Sequence, residues 1–389
     1  MPGFSNPPPT SLSNNRMSLQ SVLQKGKAFL TPKGSSDSLI TSNGFIFPKV
    51  DSAIDGEDCD HDCETCEVQL PKGWKIDHTE KLYGHIHGWA THMLVATGKT
   101  DWVKDVSDEK GSVMQAVRDC KVEPENGKLM LSASNMPRPS LTSHSISAAH
   151  EPTTILLLPA FTFIDNVTPA TVPELIRHHI SSAPTTTTPL PTPASHEIPQ
   201  PQTDYPLSTS TRFTLRPCPH KYLILMCSQR TRDARCGQSA PLLKREFERH
   251  LRPLGLYRDM QDERPGGVGI YFISHVGGHK FAANVMVYRR ADALPNVEAD
   301  VQSDGTNGVI KETNKVSNGT NRDAEIKAPF PKKLDINSMG EGAQCIWLAR
   351  VRPEDCEGII KYTVLQGKVV KPQSQLRGGF DRAKGLVSW

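Results

Sequence analysis

Residues 222–254 read YLILMCSQRTRDARCGQSAPLLKREFERHLRPL: an apolar run, a polar loop bounded by Cys227 and Cys236, and an amphipathic segment. Tyr222–Met226 has the unbroken apolar character of a strand covered on both faces. From Pro241 to Leu254, Leu243, Phe247, Leu251 and Leu254 recur at three and four residues, while Lys244, Arg245, Glu248 and Arg249 fall on the other side. That periodicity predicts a helix laid on a sheet. Working outward, Val268–Ser274 and Phe281–Tyr288 read as strands flanking a Gly-Gly turn. CIWLARV (345–351) reads as another strand, and PEDCEGIIKYTV (353–364) as a helix with Pro353 at its start and acidic residues in its first turn. The order of elements predicts a small α/β sandwich of the thioredoxin type.

Upstream, HMLVATG (92–98), KLMLSAS (128–134) and ILLLPAFTFI (155–164) carry strand signals, and a helical stretch runs from Pro173 to Ile180. The chain therefore reads as a two-domain α/β (α+β) protein. Residues 1–55 form a disordered basic tail or a transit segment, because no Asp or Glu occurs before Asp37. An N-terminal α/β domain with a cysteine cluster spans 56–180. A Pro/Thr-rich linker covers 181–211, whose composition buries no core. The second domain spans 212–389 and is interrupted by a polar, aperiodic stretch, 291–343, read as a disordered insertion.

A net charge of +3 with no basic stripe gives no footprint for nucleic acid, and the longest apolar run, Ile155–Ala160, is too short to span a membrane. Nine cysteines without an apolar signal peptide read as metal ligands in a reducing compartment rather than as a disulfide scaffold.

Two thiolates, Cys227 and Cys236, and two imidazoles, His275 and His279, flank apolar strands and can enclose a metal or a small iron–sulfur cluster. With Val276, Gly277 and Gly278 as a hairpin loop, His275 and His279 become cross-strand partners. Arg230, Arg232 and Arg235 in the ligand loop can offset thiolate charge. Eight residues between the cysteines leave more room than one ion requires, which favours a cluster, with zinc in a Cys2His2 interaction module as the alternative.

Cys59, Cys63 and Cys66, in C-x3-C-x2-C spacing with His61 nearby, form a candidate second metal site. The spacing matches that of radical S-adenosylmethionine enzymes, but the acidic context DSAIDGEDCDHDCETCE and the short stretch before the linker argue against that chemistry. Cys218 lies near the ligand loop as a candidate substitute ligand. His85 and His87 alternate as on a solvent-facing strand. The acidic residues make no paired carboxylate site, so no catalytic residue is assigned and glycoside hydrolysis finds no support.

CSQRTRDARCGQSAPLL, GIYFISHVGGHKFAANVMVY and IWLARVRPEDCEGIIKYTV resemble the sucrase/ferredoxin-like family of fungi and plants, and CDHDCETC with HGWATHMLVATGKTDWVKDV resembles its amino-terminal part. The resemblance implies a thioredoxin-like ferredoxin whose [2Fe–2S] cluster is held by Cys227, Cys236, His275 and His279. It implies electron transfer or redox sensing rather than a classical enzyme, with a redox partner protein and the iron–sulfur assembly machinery as partners. The ending Leu386-Val387-Ser388-Trp389 is similar to the tail that cytosolic iron–sulfur clients present to that machinery, which favours the cytosol. The acid-free N-terminus makes the mitochondrion the alternative.

Overall fold

Twelve strands in the computed structural model, which describes residues 44–138, 151–190, 212–294 and 340–389, hydrogen-bond into one sheet. The expectations for residues 1–43, 139–150, 191–211 and 295–339 lie outside the described residues. In the second half, β6 (Tyr222–Cys227) is central, with β8 (Val268–Ile273) parallel to it on one side and β9 (Val285–Arg290) antiparallel on the other. β10 (Gly342–Leu348), β11 (Leu376–Asp381) and β12 (Leu386–Ser388) extend the sheet antiparallel beyond β9. The two-residue strand β7 (Tyr257–Arg258) pairs with β8.

The first half repeats that plan. β1 (Thr91–Ala96) has β2 (Leu129–Ser134) parallel to it and β3 (Thr153–Leu158) antiparallel, with β4 (Thr162–Val167) beyond β3. Strand orders β2-β1-β3-β4 and β8-β6-β9-β10 are therefore equivalent. Each repeat closes with a Pro-initiated turn of 3-10 helix, Pro169–Thr171 or Pro353–Asp355, under a capping box. An α-helical turn follows in each, α3 (Val172–Leu175) or α5 (Cys356–Gly358), and then a π-helical segment. Pro173 in one and Gly358 in the other are poor helix formers, so these helices rest on packing rather than propensity.

One register pair, Ser134 opposite Ile273, links the repeats at the sheet level. Packing links them more extensively. Alternate residues of β1 and β3, among them Leu94, Leu156 and Leu158, share a buried cluster with Leu223 and Leu225 of β6, Tyr288 and Trp347. His92 sits inside this cluster, its Nδ1 3.0 Å from the Tyr288 hydroxyl and its Nε2 2.9 Å from Ser132 Oγ. The opposite face of β1 and β3 is covered by α2 (Val113–Asp119) and the α3 segment. That of β6 and β8 is covered by α4 (Ala234–Leu251) and the 353–364 segment. Leu243, Phe247 and Leu251 of α4 are fully buried, contributing about 1.5–3 kcal/mol each.

Several expectations are corrected. α4 begins seven residues earlier than expected, because Asp233 caps it by accepting from Arg235 N at 2.9 Å, and Pro241 is accommodated inside the helix. The histidine hairpin does not form: β6 lies between β8 and β9, so the Gly-Gly segment crosses over the end of β6 instead of joining paired strands. The first ten residues expected as linker are ordered, since Thr186 donates its hydroxyl to Trp89 O (2.7 Å) and its amide to Ala90 O (2.9 Å). β5 (Thr214–Pro217), expected in the second domain, pairs with β4 of the first repeat. The 44–50 stretch, expected in the tail, inserts Phe47 into the core beside α4, and α1 (Ser52–Asp55) follows it. His85 and His87 are exposed as expected, but in a turn-rich stretch rather than a strand.

Two buried histidines set the response to acid. Burial lowers His92 to about 3, and burial with the nearby Arg258 charge lowers His220 to about 4. Both rings gain a proton on unfolding at pH values below their unfolded pKa, about 6.5. Their stabilisation is therefore complete above that pH and is lost as pH falls toward the folded values. Between pH 6.5 and 5 each is expected to remove up to about 1.4 kcal/mol of stability per pH unit. Urea unfolding across this window checks the slope; a stability independent of pH there would contradict the buried neutral rings.

Candidate metal centre

Cys227 is the last residue of β6 and Cys236 lies in the first turn of α4, so the strand-to-helix connection delivers both thiols to one rim of the sheet. Both are buried, packed with Ala282 and partly covered by Trp74, whose Nε1 donates to Arg235 O at 3.4 Å. His275, two residues past the end of β8, brings Nδ1 to 3.9 Å from Cys227 Sγ. That distance is near the roughly 3.6 Å that a thiolate and an imidazole keep on one tetrahedral metal, given ordinary bond lengths. His279 opens the 3-10 turn His279–Phe281, four residues along the same crossover. Of the four expected ligands, Cys227, Cys236 and His275 are thus brought together, and the fourth stands on the segment that carries His275.

The neighbouring Cys236 thiol, helped by His275, pulls the Cys227 thiol below its ordinary value against its burial. The same pairing, together with burial, pushes Cys236 up. One thiol of the pair therefore gives up its proton readily, while a second negative charge requires a cation beside it. This donor set fits a thiophilic metal group: buried, deprotonatable sulfur with an imidazole nitrogen adjacent.

The surroundings fix the loops in ways that local sequence did not signal. Gln229, fully buried, accepts from His275 N at 2.8 Å and donates to Val103 O at 2.5 Å. Asp101 accepts from Thr231 N (3.0 Å) and Thr231 Oγ1 (2.8 Å), and Ser228 Oγ donates to Thr100 O (2.7 Å). The 97–105 loop of the first repeat therefore braces the ligand loop of the second. Burial opposes ionisation of Asp101, but the Thr231 and Trp102 bonds hold its carboxyl below the usual range. On the histidine side, Arg377 donates to Gly277 O (3.1 Å) and Asn284 Oδ1 (2.8 Å) while lying over the Trp347 ring. Gly278 has φ +67°, and a Cβ there would stand 2.5 Å from the Arg377 guanidinium. In the ligand loop Arg235 forms a two-pronged ion pair with the Asp233 carboxylate and donates to Lys75 O, and Arg232 reaches Lys104 O.

Asp101→Ala is expected to cost about 0.5–1.5 kcal/mol locally, since it removes the hydrogen bonds to Thr231, whose exposed donors water can then satisfy. Amide hydrogen exchange in residues 228–236 checks this, with a rise of about tenfold for each 1.4 kcal/mol lost. Unchanged protection would remove Asp101 from the support of the site.

The second cysteine group divides. Cys59 is buried among Val50, Tyr362 and Val370, away from the other two, because its thiol fills an apolar gap. Cys63 and Cys66 remain half-buried, with Cys63 Sγ 3.8 Å from His250 Nε2. Cys218 is a core residue whose thiol is pushed up to about 12 by burial.

Comparison with known proteins now adds to the geometry. The sucrase/ferredoxin-like family profile matches residues 82–378. The chain belongs to this family. It is 29% identical over 262 residues to actin patches distal protein 1 of Saccharomyces cerevisiae, a match covering 62% of this chain and 75% of that protein. It is also 26% identical over 152 residues to altered inheritance of mitochondria protein 32 of Clavispora lusitaniae, covering 39% of this chain and 33% of that one. For the protein of the same name from Meyerozyma guilliermondii the figures are 28% over 166 residues, 43% and 35%. No solved structure matches. Among the described residues no helix is long and apolar enough to cross a membrane.

Proposed function

We propose that this protein is a [2Fe–2S] electron-transfer or redox-sensing protein, with Cys227, Cys236, His275 and His279 as ligands. The observation that carries the reading is the meeting of Cys227, Cys236 and His275 at one rim of the sheet. The β8-β6-β9-β10 order, with only β9 antiparallel to β6 and β8, supports reading this half as a thioredoxin-like ferredoxin. When bound, the cluster would supply one-electron transfer.

The chain's own residues would do the rest. Cys227 and Cys236 offer thiolate charge, and the buried wall of Ala282 and Trp74 keeps water from it. His275 presents Nδ1 toward Cys227 as the imidazole donor of the set. The donor and acceptor are then proteins that dock at this rim, and the cytosol is the proposed compartment, with the mitochondrion the alternative. The Trp389 indole packs against Trp89, ring centroids 4.4 Å apart and planes tilted by 46°.

The test is anaerobic purification followed by visible spectroscopy and iron and sulfide analysis. Two irons and two sulfides per chain, with charge-transfer absorption, are expected of a [2Fe–2S] protein. A colourless protein carrying one zinc at Cys227 and Cys236 would replace this reading by that of a zinc-stabilised interaction module.

A further inference from the structure

At the opposite end of α4 from Cys236, three donors from three separate segments converge. Cys63 Sγ, a ring nitrogen of His250 and a carboxylate oxygen of Glu357 all lie within 4.8 Å of one another. The 14-residue separation of Cys236 and His250 corresponds to about 21 Å along the helix, so this cluster is separate from the candidate cluster site. Cys63 is held in place by its backbone, which donates to Glu354 O at 3.0 Å. His250 closes the last turn of α4 and Glu357 lies in α5.

A cation already contacts two of these three donors. Arg249 Nη2 stands 2.9 Å from His250 Nε2 and 3.5 Å from Cys63 Sγ. Donation to Nε2 places the ring proton on Nδ1 and leaves Nε2 as an acceptor. Arg249 has a second partner, Glu246, at 2.8 Å, to which it can withdraw. Burial and the Arg249 charge lower the His250 ring's pKa, in the direction of the neutral form that ligates metal.

We infer that Cys63, His250 and Glu357 bind a divalent cation of the zinc class, displacing the Arg249 guanidinium toward Glu246. Thiolate, imidazole and carboxylate are all ordinary zinc ligands, and three of them leave a fourth position for water. The mechanical consequence lies in the segment after Cys63. It passes over a cleft of about 810 Å³, lined by Cys63, Cys66, Trp74 and Arg352 among others, before Trp74 packs on Cys227 and Cys236. A metal at Cys63 would pin one end of the strap whose other end covers the candidate cluster site.

The experiment uses the full-length protein purified anaerobically with its iron–sulfur cluster bound, so that the Cys227–Cys236 rim is filled, then exposed to one equivalent of zinc, desalted, and assayed for bound zinc by elemental mass spectrometry. One zinc is expected in wild type and in Cys227→Ser, and none in Cys63→Ser or His250→Gln, with a loss of at least about 100-fold in zinc affinity for the latter two. His250 lies at a helix end near the surface, so His250→Gln is expected to keep the fold, which circular dichroism verifies. As a second readout, zinc should slow tryptic cleavage at Lys72 and Lys75 in wild type and not in His250→Gln. Equal zinc in wild type and both variants, zinc lost only in Cys227→Ser, or no zinc in wild type would each overturn the site.

Discussion

Cys227→Ser or Cys236→Ser is expected to abolish the visible absorption of the purified protein, whereas His275→Cys retains colour at a lower potential. The asymmetry follows from charge. Serine removes a soft donor that deprotonates easily, and Cys227 is the group that touches both Cys236 and His275, so its loss disconnects the set. A cysteine at 275 keeps a donor but adds negative charge, which disfavours the extra electron, and it removes the ring that can carry a proton. Where one ring proton accompanies each electron the wild-type potential falls by about 59 mV per pH unit, and a shallower slope is expected in His275→Cys. Redox titration over several pH values measures both quantities. An unchanged potential and slope would show that His275 does not ligate.

How far these residues could be read from sequence alone depended on the range of the interactions. Strand β6 and the apolar face of α4 were legible because their periodicity is local. The start of α4 was not: Pro241 drew the boundary inward, although Asp233 satisfies the first amides and the Pro is tolerated inside the helix. The Gly-Gly segment after His275 looked like a hairpin, and both glycines do take positive φ, yet whether β8 and β9 pair is decided by β6 entering between them. That is a long-range fact with no local signature. Spacing misled in the same way at Cys59, Cys63 and Cys66: nearness along the chain says nothing about which thiol an apolar cluster will absorb.

The repeat of one fold plan was available in principle, since VTPATVPELI (167–176) and VRPEDCEGII (351–360) carry Pro and the capping residue at matching places. It explains why the first repeat matters to a site whose expected ligands all lie in the second. The loop after β1 and the loop after β6 leave equivalent strand ends and meet, so the ligand loop leans on its counterpart through Asp101, Val103 and Gln229. Asp101 and Gln229 were missed because each acts across more than 40 residues of chain.

Gly237→Val is expected to disrupt the site while sparing the fold, the second large effect. Gly237 follows Cys236 in the first turn of α4, and a Cβ there would lie 2.4 Å from Arg230 Cβ and 3.0 Å from Arg230 Cα. The obstruction includes backbone, so rotation of a flexible side chain cannot relieve it. Either the ligand loop moves outward or the first turn of α4 unwinds, and both separate Cys227 from Cys236. Overpacking of this kind costs about 1–3 kcal/mol. The rest of α4 is held by Leu243, Phe247 and Leu251, buried in the core beyond the reach of that strain. Thermal unfolding followed by circular dichroism should therefore shift only modestly, while iron release to a chelator accelerates by about tenfold for each 1.4 kcal/mol of ligand-loop strain. Gly237→Ala should fall between wild type and valine, because its single methyl meets the same Arg230 atoms with less bulk behind it. Iron retention in Gly237→Val equal to wild type would mean that the loop yields without parting the two thiols, and that close packing of Arg230 on the helix is not what holds the ligand pair.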